Sequence, residues 1–369
     1  MKRISYALLA IAMLFSACTD QSLDMAKPDH AGGPKKDKGG DDGGDDEGSN
    51  DGDVTYYLTG NSEDVQTSSS LGYLLAGGAS DQKSWFDWMV NKSDGGDFVI
   101  IRTDDSDGYN DDTFIEGANS ILTLVINDQT SANSDFVRDK IRGAEALFIA
   151  GGDQTEYYDL WNGTEVENSI HYLANEKGVP IGGTSAGLAI LGEFAYIPQS
   201  SGVISSEALN DPYHPYMETI KTDFLQLPGL GKIITDSHFS ERDRLGRTIA
   251  LMARVIADGV VSSYQDIKGI AVDEFTAVAI EANGDAKVLG DGNYEDYAFF
   301  FSANSVPNQC EEGQALHWTD AITAYTVKGV SNPNNSFNIS NWSSLSSAAQ
   351  LEEVNINYGI ISNDIQQPD

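Results

Sequence analysis

Ser185 stands in Ile181-Gly182-Gly183-Thr184-Ser185-Ala186-Gly187-Leu188-Ala189-Ile190, where a buried-type apolar run meets small residues on both sides of a serine. That is the logic of a nucleophile elbow: a tight strand-to-helix turn lifts the hydroxyl, and small neighbours let the backbone make the turn. The helix start behind it supplies N–H groups and a positive dipole end, so Ala186 is a candidate oxyanion donor. A serine that merely caps a helix in a Gly-rich turn has the same pattern. A second strand-to-Gly turn, Phe148-Ile149-Ala150-Gly151-Gly152-Asp153-Gln154, offers the Gly152 N–H as a second oxyanion donor and Gln154 as a polar specificity group. Its plainer reading is a β-to-α turn with Asp153 as helix cap.

The proton chemistry points to Thr235-Asp236-Ser237-His238-Phe239-Ser240-Glu241-Arg242-Asp243-Arg244-Leu245-Gly246-Arg247. Of five histidines, only His238 follows a strand end and precedes a helix, where a general base for a sheet-edge serine belongs. Arg242, Arg244 and Arg247 suggest carboxylate recognition, which the planar guanidinium suits, although Arg242 and Arg244 do not share a helical face and both can simply face solvent. Acids interrupt the apolar run Gly269-Ile270-Ala271-Val272-Asp273-Glu274-Phe275-Thr276-Ala277-Val278. Burying them is costly unless they are paired, so one, preferably Glu274, is placed to orient His238. Glu207 in Ser205-Ser206-Glu207-Ala208-Leu209-Asn210 is the rival acid, in a stretch that reads as a solvated loop.

These residues need a frame. Apolar strands are expected at 72–77, 98–102, 121–126, 146–150 and 179–182, with helices at 82–91, 134–142 and 166–176 between them. Near-continuous apolar strands alternating with helices imply a doubly wound, mainly parallel sheet covered on both faces, with functional groups beyond the strands' carboxyl ends. A short strand at 232–235, a helix at 242–257, and apolar runs at 269–280 and 286–289 around an Asn283-Gly284 turn follow. Residues 291–369 are rich in Ser, Asn and short β-like runs; they either complete the main fold or form a small β appendage.

The four motifs together resemble the cyanophycinase and peptidase E family of serine peptidases. Gly151-Gly152-Asp153-Gln154, Gly183-Thr184-Ser185-Ala186-Gly187, Asp236-Ser237-His238-Phe239 with its three arginines, and Val272-Asp273-Glu274 with Thr276-Ala277 occur in the family's order across roughly residues 70–290. The resemblance implies an α/β, flavodoxin-like fold related to the class I glutamine amidotransferases, here with a β-rich C-terminal extension. It implies a Ser185–His238–Glu274 triad, with no metal or cofactor. It also implies a substrate pocket at Asp153, Gln154, Asp236, Ser237, Arg242, Arg244 and Arg247, and a homodimer as one arrangement open to the chain. Ser237 departs from the Gln that cyanophycinases often carry between Asp and His, which bears on substrate identity more than on mechanism. The implied reaction is hydrolysis of aspartyl peptide bonds, β-aspartyl-arginine bonds of cyanophycin first. An α-aspartyl dipeptidase and a catalytically inactive surface-binding lipoprotein are the alternatives.

The ends of the chain add an address. Met1-Lys2-Arg3, an apolar run from Ala7 to Phe15 and then Ser16-Ala17-Cys18 read as an export signal over residues 1–18. The run is too short for a permanent span, and it ends on a cysteine resembling a lipidation site, so the expectation is a membrane-tethered lipoprotein of a bacterial envelope. Residues 19–53 hold 11 acids and 4 bases among many glycines and read as an acidic tether, because such a composition cannot bury enough surface to offset ordering entropy. A calcium loop is the sharper reading of these acids, but the required spacing is missing. The catalytic domain is then 54–290. Cys310 in its acidic setting reads as structural.

The formal charge of −35 rests on 57 acids against 22 bases, and −30 of it belongs to residues 54–369. That excludes nucleic acid as a partner, since phosphate binding needs a basic face. It fits either a solvated surface suited to high salt or an attraction for cationic substrates.

Overall fold

The computed structural model describes residues 49–51, 54–111, 114–199, 202–217, 220–292, 296–362 and 365. The export-signal, Cys18 and most of the tether expectations lie outside them. No helix among the described residues is long and apolar enough to cross a membrane.

Five parallel strands form the centre of an 11-stranded sheet, in the spatial order Ser120–Val125, Asp97–Arg102, Ala146–Ile149, Pro180–Thr184, Gly72–Ala76. Each is buried along its whole length. Alternation divides their side chains between two layers. Leu74, Ile100 and Phe148 pack on one face with Trp85, Phe86 and Met89 of the helix Lys83–Lys92. Leu75, Val99, Ile101 and Leu147 pack on the other with Val137, Ile141, Trp161 and Ile170 from three helices. Helices on both faces around a parallel centre are the doubly wound arrangement the sequence predicts. Antiparallel strands extend it at both edges, Val54–Gly60 beside Ser120–Val125 and Thr276–Glu281 beside Gly72–Ala76.

Observed boundaries differ from expectation where chemistry intrudes. The apolar run 269–280 is two strands, Lys268–Val272 and Thr276–Glu281, which join different sheets. The break falls on Asp273-Glu274-Phe275, with Phe275 at φ +55°, a conformation that disfavours strand continuation. The helix expected from 242 begins at Leu245, because Asp243 at φ +47° interrupts the turn before it. Glu207 lies in a short helix, Ser205–Asn210, rather than a loop. The helix Gln154–Trp161 was not assigned by apolar spacing, although its Asp153 cap marks its start.

A second sheet of six strands runs Ile233–Asp236, Lys268–Val272, Tyr297–Ala303, Trp318–Lys328, Ala349–Asn357, Ile360–Ile361. The first two are parallel and the rest antiparallel. The helix Leu245–Ala257 covers it, with Ile249 and Met252 in one core with Phe299, Phe301, Trp318 and Val354. The β-rich C-terminal residues therefore complete the sheet whose strands carry His238 and Glu274. Cys310 packs at the edge of this core as a free thiol, its pKa pushed up to about 12 by burial and then by Asp258.

A chain ended at residue 290 should lose its cooperative thermal transition, because Lys268–Val272 would keep only Ile233–Asp236 beside it and Ile249 and Met252 of the helix Leu245–Ala257 would lose Phe299, Phe301, Trp318 and Val354 from their core. Near-UV circular dichroism during melting checks this; a melt like that of the full chain would show that the extension is dispensable.

Candidate active site

Two pairs of parallel strands point their carboxyl ends at one another. Pro180–Thr184 and Gly72–Ala76 deliver Ser185 and the Gly77-Gly78 turn. Ile233–Asp236 and Lys268–Val272 deliver His238 and Glu274.

Ser185 has φ +53° and ψ −115°, immediately before the helix Ala186–Ala189. A non-glycine residue there costs on the order of 1–3 kcal/mol, which the surrounding contacts must hold. They do so through small residues. A Cβ on Gly183 would lie 2.5 Å from the Gly187 carbonyl carbon, and one on Gly187 would lie 2.2 Å from the Ile149 carbonyl oxygen. The second contact seats the elbow directly on the strand that leads into Gly151-Gly152. Gly152 is restricted by a side chain instead: a Cβ would lie 2.4 Å from the Tyr157 hydroxyl, which donates to the Ala150 carbonyl at 2.9 Å. Ala186 opens its helix, so its N–H has no intrahelical acceptor. The two expected oxyanion donors are thus brought to adjoining turns.

The Ser185 hydroxyl lies 2.7 Å from His238 Nε2, and His238 Nδ1 lies 2.6 Å from Glu274 Oε1. These partners assign the tautomer: Nδ1 donates to the carboxylate and Nε2 accepts from the hydroxyl. His238 is nearly buried, at 3% exposure, and holds φ +43°. Burial, above all, lowers its pKa below the ordinary histidine value; the Arg242 and Arg244 guanidiniums push the same way against the Glu274 hydrogen bond. Glu274 is held below the usual carboxylate range by its bond to His238. The result is a neutral imidazole beside a charged carboxylate at neutral pH, the state a general base needs.

Glu207 is elsewhere. Its carboxylate accepts the Ile204 N–H at 3.2 Å and is spent on its own helix start.

The basic cluster divides in two. Asp236 is buried and accepts from Arg247 Nε at 3.1 Å and Arg247 Nη2, from Arg244 Nη1 at 3.2 Å and from the Thr248 hydroxyl at 3.0 Å. Burial raises the Asp236 pKa, but the Arg247 and Arg244 charges outweigh it and hold the carboxyl below its ordinary value. Arg244 Nη1 also donates to the Ser237 carbonyl at 2.6 Å. Asp236, Ser237 and Arg247 are each at most 4% exposed, so they belong to the frame behind His238. Arg242, by contrast, is exposed and close enough to His238 for its charge to act on the imidazole. Asp153 caps its helix through Thr155 N–H at 2.8 Å, and Gln154 donates to the Tyr196 carbonyl at 2.7 Å.

Sequence reasoning missed four partners. Thr248 completes the Asp236 shell, and Tyr157 lies under Gly152. Glu241 accepts the Glu274 N–H at 3.1 Å. The fourth is the Gly77-Gly78 turn, whose strand-then-Gly-pair signature repeats that of the other two turns. Among the described residues one group of acids could hold a cation: Glu241, Asp273 and Asp296, with carboxylate oxygens within 4.8 Å of one another. Asp273 already accepts Ser240 N–H and Tyr297 N–H, both at 2.9 Å.

With this geometry in place, the likeness to known proteins is informative. Residues 117–288 match the model of Peptidase family S51. Over that stretch the chain is similar to the family, and the cyanophycinases it matches agree with it. It is 28% identical over 177 residues to the cyanophycinase of Synechococcus elongatus, covering 48% of this chain and 49% of that protein. It is 29% identical over 180 residues to the cyanophycinase of Trichormus variabilis, covering 48% and 53%. The chain thus spans about half the length of the curated relatives it matches. A peptidase from an acI-B1 Actinobacterium aligns with a TM-score of 0.44 at 16% identity, over 63% of this chain and 91% of that one. A putative peptidase E protein from Listeria monocytogenes EGD-e aligns with a TM-score of 0.36 at 14% identity, over 60% and 99%.

Asp236→Asn should destabilise the fold by about 3–5 kcal/mol, because it strands buried Arg247 without its counter-charge. Urea denaturation at pH 7 measures this, and a loss under about 1 kcal/mol would show the network to be dispensable. The same carboxyl titrates below its unfolded value in the native state, so its contribution is present above the unfolded pKa and disappears as pH falls through the folded one. Asp236→Asn should therefore flatten the acid side of the stability curve.

Proposed function

We propose that this chain is an exported serine-type exopeptidase that hydrolyses aspartyl peptide bonds, with the β-aspartyl-arginine bonds of cyanophycin as its substrate. The continuous relay from Glu274 through His238 to a serine on a strained elbow carries this reading. In it, Ser185 Oγ attacks the scissile carbonyl carbon as His238 Nε2 accepts the hydroxyl proton. The imidazolium so formed is stabilised by Glu274. The tetrahedral oxyanion is held by the N–H groups of Gly152 and Ala186, at about 3–4 kcal/mol each. His238 returns the proton to the leaving amine, and water, activated by the same imidazole, resolves the acyl-enzyme.

Substrate selection is assigned mainly to Arg242. It is the exposed guanidinium of the cluster, while Arg244 and Arg247 bind Asp236 and hold the His238 turn. Arg242 is suited to a free α-carboxylate of an aspartyl backbone. The relatives named above as cyanophycinases support the polymer as substrate. The basic and apolar start of the chain supports export, with Cys18 as the lipid-bearing residue of an envelope lipoprotein.

Ser185→Ala should lower turnover of β-Asp-Arg polymer by at least about 10⁴-fold. Wild type and variant releasing dipeptide at the same rate would overturn the serine mechanism, whereas cleavage of α-aspartyl dipeptides alone would reassign the substrate within the same reaction. Glu274→Gln should cost about 10²–10⁴-fold and Glu207→Gln almost nothing; the reverse order would place the orienting acid at Glu207.

The acid limb of kcat/KM should lie below pH 6.5, because burial, with help from the two arginines, lowers the His238 pKa. Arg242→Gln should move this limb to higher pH, since it removes a positive charge that disfavours the imidazolium, and should raise KM. A limb that stays in place would show that Arg242 does not act on His238. For the address, labelled palmitate should enter the full chain and not Cys18→Ala; equal labelling would remove the lipid anchor.

A further inference from the structure

The end of the strand Gly72–Ala76 and the turn that follows it together touch every segment of the proposed triad. Ser185 N–H donates to the Ala76 carbonyl at 3.1 Å, His238 N–H to the Gly77 carbonyl at 2.9 Å, and Phe275 N–H, next to Glu274, to the Gly78 carbonyl at 3.2 Å. Gly77 N–H donates in return to the Thr276 carbonyl at 2.9 Å. Three segments of the proposed triad, from two sheets, thus share three consecutive carbonyls, of Ala76, Gly77 and Gly78, as acceptors.

The missing side chains matter as much as the hydrogen bonds. A Cβ on Gly78 would lie 2.3 Å from His238 Cε1 and 2.5 Å from Nε2, so the imidazole rests against the bare backbone. Gly78 also has φ +110°, which L side chains rarely adopt. A Cβ on Gly77 would lie 1.9 Å from the Asp273 carbonyl oxygen.

The far end of the turn is pinned. The fully buried Tyr109 hydroxyl donates to Asp81 Oδ2 at 2.6 Å, and the Tyr109 ring carries the buried Arg102 guanidinium at 5.9 Å from its centroid. Arg102 is in turn held by Asp104 through Nε at 2.9 Å. None of these four side chains belongs to the relay of proton transfer.

We propose that the Gly77–Asp81 turn is the positioning element of the triad: Gly78 sets the plane and depth of the His238 imidazole, and the Asp81–Tyr109 bond holds the turn in place. The inference rests on the reading of Ser185, His238 and Glu274 as the reacting groups.

The test uses Gly78→Ala and Tyr109→Phe in the full chain, each read three ways. These are cooperative melting, the downfield proton resonance of His238 Nδ1–H bonded to Glu274, and the rate of labelling by a fluorophosphonate with kcat and KM on β-Asp-Arg polymer. Gly78→Ala is expected to melt cooperatively, lose the downfield resonance and label about 10²-fold more slowly, the scale of a displaced general base. Tyr109→Phe is expected to keep the fold, broaden the resonance and lower kcat several-fold with KM within twofold of wild type. Retention of the resonance and of wild-type labelling in Gly78→Ala overturns the proposal. If Gly78→Ala does not fold, Tyr109→Phe decides, and an unchanged kcat and resonance overturn it. Absence of the resonance from the wild type also overturns it. A wild-type protein that shows the resonance but neither labels nor hydrolyses removes the functional reading alone, and the resonance in the variants still decides the positioning role.

Discussion

The site depends on two sheets meeting backbone to backbone. Gly77 and the Asp273 carbonyl approach so closely that no side chain fits between them. One sheet carries the serine and the other carries the histidine and the acid, so the triad exists only where their carboxyl ends converge. Three strained residues lie at that convergence. Ser185, His238 and Phe275 all have positive φ, because each chain must turn sharply on leaving its strand. Small residues and backbone hydrogen bonds help to hold the strain.

Electrostatics are arranged in the same two layers. A body carrying −30 surrounds a compact set of arginines, and most of their charge is used internally. Asp236 takes two of them out of circulation, which would be costly if either partner were absent. That pair stiffens the turn bearing His238 and leaves Arg242 as the exposed cation of the cluster. Net charge therefore says little about the site; what matters is which charges are buried against each other.

Much of the frame was legible. The five central strands and three of the helices packed on them were readable because burial on both faces leaves continuous apolar runs; Ser185 was readable from its Gly-flanked turn after a strand, and His238 from its place between a strand end and a helix. The apolar run through Asp273-Glu274-Phe275 was less so. Periodicity cannot report that a strand stops and its continuation enters another sheet, since both halves are equally apolar. The three arginines looked equivalent for a similar reason: spacing says which share a helical face, not which one meets a buried carboxylate eleven residues earlier.

The order of residue types was enough for the chemical vocabulary and the local turns: a doubly wound core, a serine at an elbow, a histidine after a strand, an acid in an apolar run, and a strongly acidic body. Those follow from residue type and short-range spacing, which local backbone sterics and burial read directly. Tertiary structure decided which acid meets the histidine, which arginine remains exposed, and that Gly77-Gly78 lies under the whole arrangement. Each of these is a contact between residues distant in sequence, settled only when two sheets pack at one edge.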